Sequence, residues 1–119
     1  MAVVAEMTRL KVGTVDEVRE KGVVVVAGPY CPIAVFYHDG QFFAVDNRCP
    51  HMGFPLHKGP VQDGILTCPW HHARFDLSSG CTFDLWADDV PSFPVEVQDG
   101  EVFVLVPPLD SERIRTHWL

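Results

Sequence analysis

With 119 residues, 47% of them hydrophobic and 21% charged, the chain has material for one packed domain and not for two. Its formal net charge of −7 speaks against nucleic acid as a partner, because a phosphate backbone is bound by clustered Lys and Arg. No run approaches the ~18 apolar residues of a membrane-spanning helix.

Ten prolines and nine glycines favour turns and short strands over long helices. The amino terminus, MAVVAEMTRLKV, has no basic leader followed by an apolar run, and Glu6 interrupts the only candidate. The expectation is a soluble, cytoplasmic protein. Residues 14–22, TVDEVREKG, carry the helical pattern: Thr14 or Asp16 can cap it, Glu17 lies in the first turn, and Gly22 ends it. VVVV at 23–26 is continuously apolar, which predicts a strand buried on both faces. Residues 32–47 read as a hairpin around Asp39-Gly40, and the same dipeptide recurs at 63–64 and 99–100 between apolar runs. Together these predict an all-β fold, a small antiparallel sandwich or barrel-like domain over residues 1–107. The double proline at 107–108 should end the sheet. The tail 108–119 could hold a short helix capped by Ser111, with Ile114 and Trp118 on one face. It either packs on its own domain or leads into something longer.

The chemistry concentrates in two boxes, RCPHMG at 48–53 and CPWHHA at 68–73. Cys49, His51, Cys68 and His71 make the pattern C-x-H, sixteen intervening residues, then C-x-x-H. Spacings this short let two side chains of one turn converge on a common centre, and the hairpin between them can bring the pairs together. Two soft thiolates and two imidazoles suit either tetrahedral zinc or an iron–sulfur cluster. Zinc fingers generally pair cysteine with cysteine and histidine with histidine. Here each box mixes the two, which fits a diiron centre better. Four cysteines without a leader favour a metal site over disulfides. The stretch 48–76 carries Arg48, Lys58 and Arg74 against Asp63 and Asp76, a balance of +1, which leaves −8 for the remainder. That is either ordinary solvation charge or a dipole that orients the protein toward a partner.

CPHMG with CPWHHARFDLSSG resembles the Rieske [2Fe–2S] proteins, whose boxes run C-x-H-x-G and C-P-x-H, usually followed by Gly. The resemblance implies that Cys49 and Cys68 bind one iron of a single [2Fe–2S] cluster and that His51 and His71 bind the other. It implies a Rieske fold whose cluster-binding part, about 47–82, is formed by two loops and one short helix. His72 then stands where the family usually has glycine; if the position needs positive φ, histidine is among the less costly substitutes. Trp70 and Met52 are candidates to shield the cluster or to serve a core or interface. Cys31 and Cys81 lie outside both boxes and are expected to be buried thiols. His38, His57 and His117 are expected to be solvated or hydrogen-bonded without a functional role, though His57 could lie near the cluster.

High-potential members resemble one another in an extra disulfide-forming cysteine in each box and in Ser and Tyr donors after the second ligand histidine. Here those positions read Phe54, Trp70, Ala73 and Phe75. Fewer donors stabilise the reduced cluster less, so the expected potential is nearer about −150 mV than 0 mV. The resemblance is to the soluble ferredoxin components of ring-hydroxylating dioxygenase systems. It implies a carrier, not itself an enzyme, that passes single electrons from an NAD(P)H-dependent, flavin-dependent reductase to a terminal oxygenase. The alternatives are the Rieske domain of a longer redox enzyme and a structural zinc module for protein contacts.

Overall fold

The structure, a computed structural model, describes residues 7–50, 53–69, 72–84 and 88–107. The helix and tail expected around Ile114, His117 and Trp118 lie outside the described residues, as do His51, Met52, Trp70 and His71.

Strand β1 (Thr8–Thr14) runs into helix α1 (Val15–Lys21). A capping box joins them: Glu17 N–H donates to Thr14 Oγ1 at 3.1 Å, and Thr14 N–H donates to Glu17 Oε1 at 2.9 Å. At the other end, the Gly22 N–H returns to the Val18 carbonyl at 2.9 Å. Then follow β2 (Val23–Ala27), β3 (Pro32–His38) and β4 (Gln41–Asp46). A 3-10 turn (Leu56–Lys58) precedes β5 (Val61–Gln62), β6 (Ile65–Thr67) and β7 (Arg74–Asp76). The described chain closes with β8 (Ser92–Phe93), β9 (Val95–Gln98) and β10 (Glu101–Val106). Among the described residues all strand pairings are antiparallel, in three sheets ordered β1-β10-β9, β2-β3-β4-β8 and β5-β6-β7.

Each Asp-Gly pair makes the same two-residue turn. Asp39, Asp63 and Asp99 have φ of 52°, 55° and 52°, and the glycine after each also has positive φ. That conformation matches the twist of the strands it joins, and aspartate tolerates it better than most side chains.

The central sheet is a wall between two cores. Ile33 and Val35 of β3 face a base core with Val18, Phe93, Val102 and Val104, whereas Ala34 and Phe36 face a second core containing Leu56, Leu66, Phe75 and Leu77. The strand buried on both faces is therefore β3, and the expectation for VVVV is corrected. β2 lies at the edge of its sheet, and Val25 is 39% exposed. A run of valines cannot reveal that only one of its long sides has a neighbouring strand.

Candidate metal centre

Both cysteine boxes form the same backbone loop. In the first, the Cys49 N–H donates to the Phe54 carbonyl at 2.9 Å; in the second, the Cys68 N–H donates to the Ala73 carbonyl at 2.8 Å. Each bond spans five residues, each loop has proline directly after the cysteine, and each has positive φ at the fourth position on. That position is Gly53 at 76° in the first loop and His72 at 61° in the second. His72 thus occupies the left-handed position that the departure from glycine raised as a question, and its side chain is exposed.

The loops converge on the second core. Cys49 and Cys68 are 2% and 1% exposed, and both belong to the cluster of side chains with Leu56, Leu66, Ala73 and Phe75. None of the four cysteines forms a disulfide. Two thiols from matched loops in one apolar core are a fit donor pair for a soft metal centre, because a thiolate there is shielded from water and oxidant.

The residues before Cys49 anchor its loop. Asp46 accepts from the Arg48 N–H at 3.0 Å, from Nε at 3.2 Å and from Nη2 at 3.3 Å. Burial nevertheless pushes the Asp46 carboxyl above the usual carboxylate range, against the pull of Arg48. Asn47, also buried, hydrogen-bonds to His57 through its side chain. After the second loop, Arg74 donates from its backbone and its guanidinium to Asp84, at 2.8 Å and 3.1 Å. Those bonds hold the Asp84 carboxyl below its ordinary value. Sequence reasoning passed over Asp46 and Asn47. The available signal was two polar residues closing an apolar strand immediately before a cysteine box.

Of the other candidates, Cys31, Cys81 and His38 stand apart from this centre, whereas His57 borders it through Asn47. Cys31 lies in the base core, and burial, with Asp46 adding to it, pushes its thiol up to about 12. It is a buried thiol, as expected. Cys81 is exposed, which corrects the expectation for that residue. It directly follows Gly80, which is buried against the Val90 carbonyl. His38 Nε2 accepts the Gly64 N–H at 3.1 Å, and His57 bonds to Asn47, so both are hydrogen-bonded histidines as expected.

A family model of the Rieske [2Fe-2S] domain matches residues 8–94. The chain belongs to the Rieske [2Fe–2S] domain family. Membership carries a Rieske-type [2Fe–2S] cluster in place of the zinc that the same donors would accept. The chain is 40% identical over 103 residues to the 3-phenylpropionate/cinnamic acid dioxygenase ferredoxin subunit of Photorhabdus laumondii, covering 84% of this chain and 96% of that protein. Among solved structures it matches a chain in the complex of reduced oxygenase and oxidized ferredoxin in carbazole 1,9a-dioxygenase, with TM-score 0.74 and 28% identity. That match covers 81% of this chain and 91% of the other. The Sphingomonas yanoikuyae B1 ferredoxin matches with TM-score 0.71 and 27% identity over 85% of this chain and 99% of its own. The likeness confirms the all-β Rieske fold. Strand β10, which pairs with β1, and β9 beside it lie beyond the residues of the family match.

Proposed function

We propose that this protein is a one-electron carrier that takes electrons from an NAD(P)H-dependent, flavin-containing reductase and delivers them to an oxygenase in the cytoplasm. The observation that carries the reading is the near full-length similarity to a dioxygenase ferredoxin subunit, joined to a centre built of two matched cysteine loops. Among the described residues, no helix is long and apolar enough to cross a membrane.

Cys49 and Cys68 would hold one iron, and His51 and His71 the other, within a cluster-binding part spanning about 47–82. When bound, such a cluster takes up and releases one electron. The chain's own part is to hold and shield it. Leu56, Leu66 and Phe75 keep water from the two sulfur atoms, and the Cys49 and Cys68 amides are engaged in closing their own loops. Ala73 and Phe75 are fully buried and bring no hydroxyl donor to this core. The reduced state is stabilised less than in a centre with such donors, which supports a potential near the low end of the Rieske range, about −150 mV.

The deciding experiment is the EPR spectrum of the dithionite-reduced protein, with a redox titration of the same sample. A rhombic signal with average g below the free-electron value and a midpoint below about 0 mV is the expected result. A colourless, EPR-silent protein containing zinc would overturn the reading.

A further inference from the structure

Asn47 and Asp46 are the buried polar side chains among the described residues, and every polar group of Asn47 is engaged. Its N–H donates to the Pro32 carbonyl and its own carbonyl accepts from the Leu56 N–H, both at 2.9 Å. Its Oδ1 accepts from the His57 N–H at 2.7 Å, and its Nδ2 lies 2.8 Å from His57 Nδ1. The sense of the last bond is forced. A backbone N–H can only donate, so Oδ1 must face it, and the amide nitrogen must donate to the ring. In this bond His57 Nδ1 is the acceptor.

This contact fastens the 3-10 turn at Leu56–Lys58 to the strand end that leads into Cys49. The far end of the same turn seats on the other loop. A Cβ on Gly59 would meet the Thr67 carbonyl oxygen at 2.0 Å and Pro69 Cδ at 3.1 Å. The Thr67 N–H donates to the Pro60 carbonyl at 3.0 Å, directly before Cys68. The turn is a spacer with one cysteine loop latched to each end.

We propose that Asn47 and His57 are a positioning pair for the metal centre: their mutual hydrogen bonds set the separation of the Cys49 and Cys68 loops. The inference rests on the cluster reading given under Proposed function. Neither residue touches the cluster in this scheme; both act through the loops.

The test compares the cluster-loaded protein with His57→Ala, His57→Gln, Asn47→Ala and the Asn47→Ala/His57→Ala double variant. The readouts are the reduced EPR spectrum, the midpoint potential and the rate of bleaching by an iron chelator. His57 is only half-buried, so its truncation leaves the core intact. The expected result is altered g-values and potential in the alanine variants, with bleaching roughly three- to tenfold faster, the scale of one lost hydrogen bond. The double variant should be no worse than the worse single one. His57→Gln, whose amide oxygen can accept the Asn47 proton, should return toward wild type. EPR and potential unchanged in His57→Ala, with only a lowered melting temperature, would make the pair merely structural and overturn the inference. A wild type without an iron–sulfur signal would overturn the cluster reading and this role with it.

Discussion

His72 stands in the second cysteine loop at the backbone position that Gly53 occupies in the first, with φ of 61° against 76°. Both follow their cysteine by four residues, and both precede the carbonyl that closes the loop. A side chain in this region costs about 1–2 kcal/mol relative to its preferred conformations, and glycine costs nothing there. His72→Gly should therefore raise stability, by a few tenths to about 1 kcal/mol once the greater freedom of glycine in the unfolded chain is subtracted. Gly53→Ala should lower it by about 1–2 kcal/mol through backbone strain alone, since a Cβ there meets nothing within 4 Å. Paired thermal melts of the two variants check this. A His72→Gly variant less stable than wild type would show that the His72 side chain makes a stabilising contact.

The two cysteines of the proposed centre and the two outside it should respond oppositely to substitution. Cys49→Ser and Cys68→Ser should each abolish iron and acid-labile sulfide binding and the visible absorption. Cys31→Ala and Cys81→Ala should keep full iron content. Cys31→Ala should cost about 1 kcal/mol of stability, because the small side chain lies in the base core. Cys81→Ala should cost almost nothing, because that residue is exposed. Iron loss in the Cys31 variant would move the centre across the central sheet.

Much of this architecture was legible because its signals are local. An Asp-Gly pair determines its own turn, and the Thr14–Glu17 capping box is complete within four residues. The cysteine boxes are local too, since each loop closes over five residues. What escaped the sequence depends on distant neighbours. Whether a valine strand is central or at an edge is decided by sheet order, so β2 and β3 could not be told apart by composition. Asn47 is buried by partners at Pro32, Leu56 and His57, and no periodic pattern marks it. Cys81 is exposed because of the path its loop takes, which its small apolar character does not reveal.

Two aspartates should give opposite slopes of stability with pH. Burial raises the Asp46 carboxyl, so between its unfolded value, about 3.9, and its folded one the native state binds more protons than the unfolded. Its contribution is fully present below the unfolded value and is lost as pH rises through the folded one. Asp76 is lowered, first by the Ser78 hydroxyl at 2.7 Å and then by the Ser78 N–H at 2.9 Å. Its contribution is present above the unfolded value and is lost as pH falls through the folded one. The difference in melting temperature between wild type and Asp46→Asn should thus fall with rising pH above about 4, and that for Asp76→Asn should rise with pH up to about 4. Equal slopes for the two variants would contradict the assignment.

Gly59 is where the two halves of the centre press on each other. Its φ of −88° is open to any residue, so the conformation itself does not call for glycine. The contact does: a methyl group there would lie 2.0 Å from the Thr67 carbonyl oxygen, which cannot swing aside as a side chain can. Gly59→Ala must push the Thr67–Pro69 backbone away, and Cys68 lies within that segment. The expected cost is at least about 1–3 kcal/mol, the usual range for overpacking, together with reduced iron content as Cys68 moves from its partner loop. Gly64→Ala is the control. It has positive φ at 78° and open space around it, so it should lose about 1–2 kcal/mol with iron content unchanged. Iron-to-protein ratios measured on both variants separate loop displacement from simple destabilisation. A Gly59→Ala protein with full iron content would mean that the second loop can shift without disturbing the cysteine it carries.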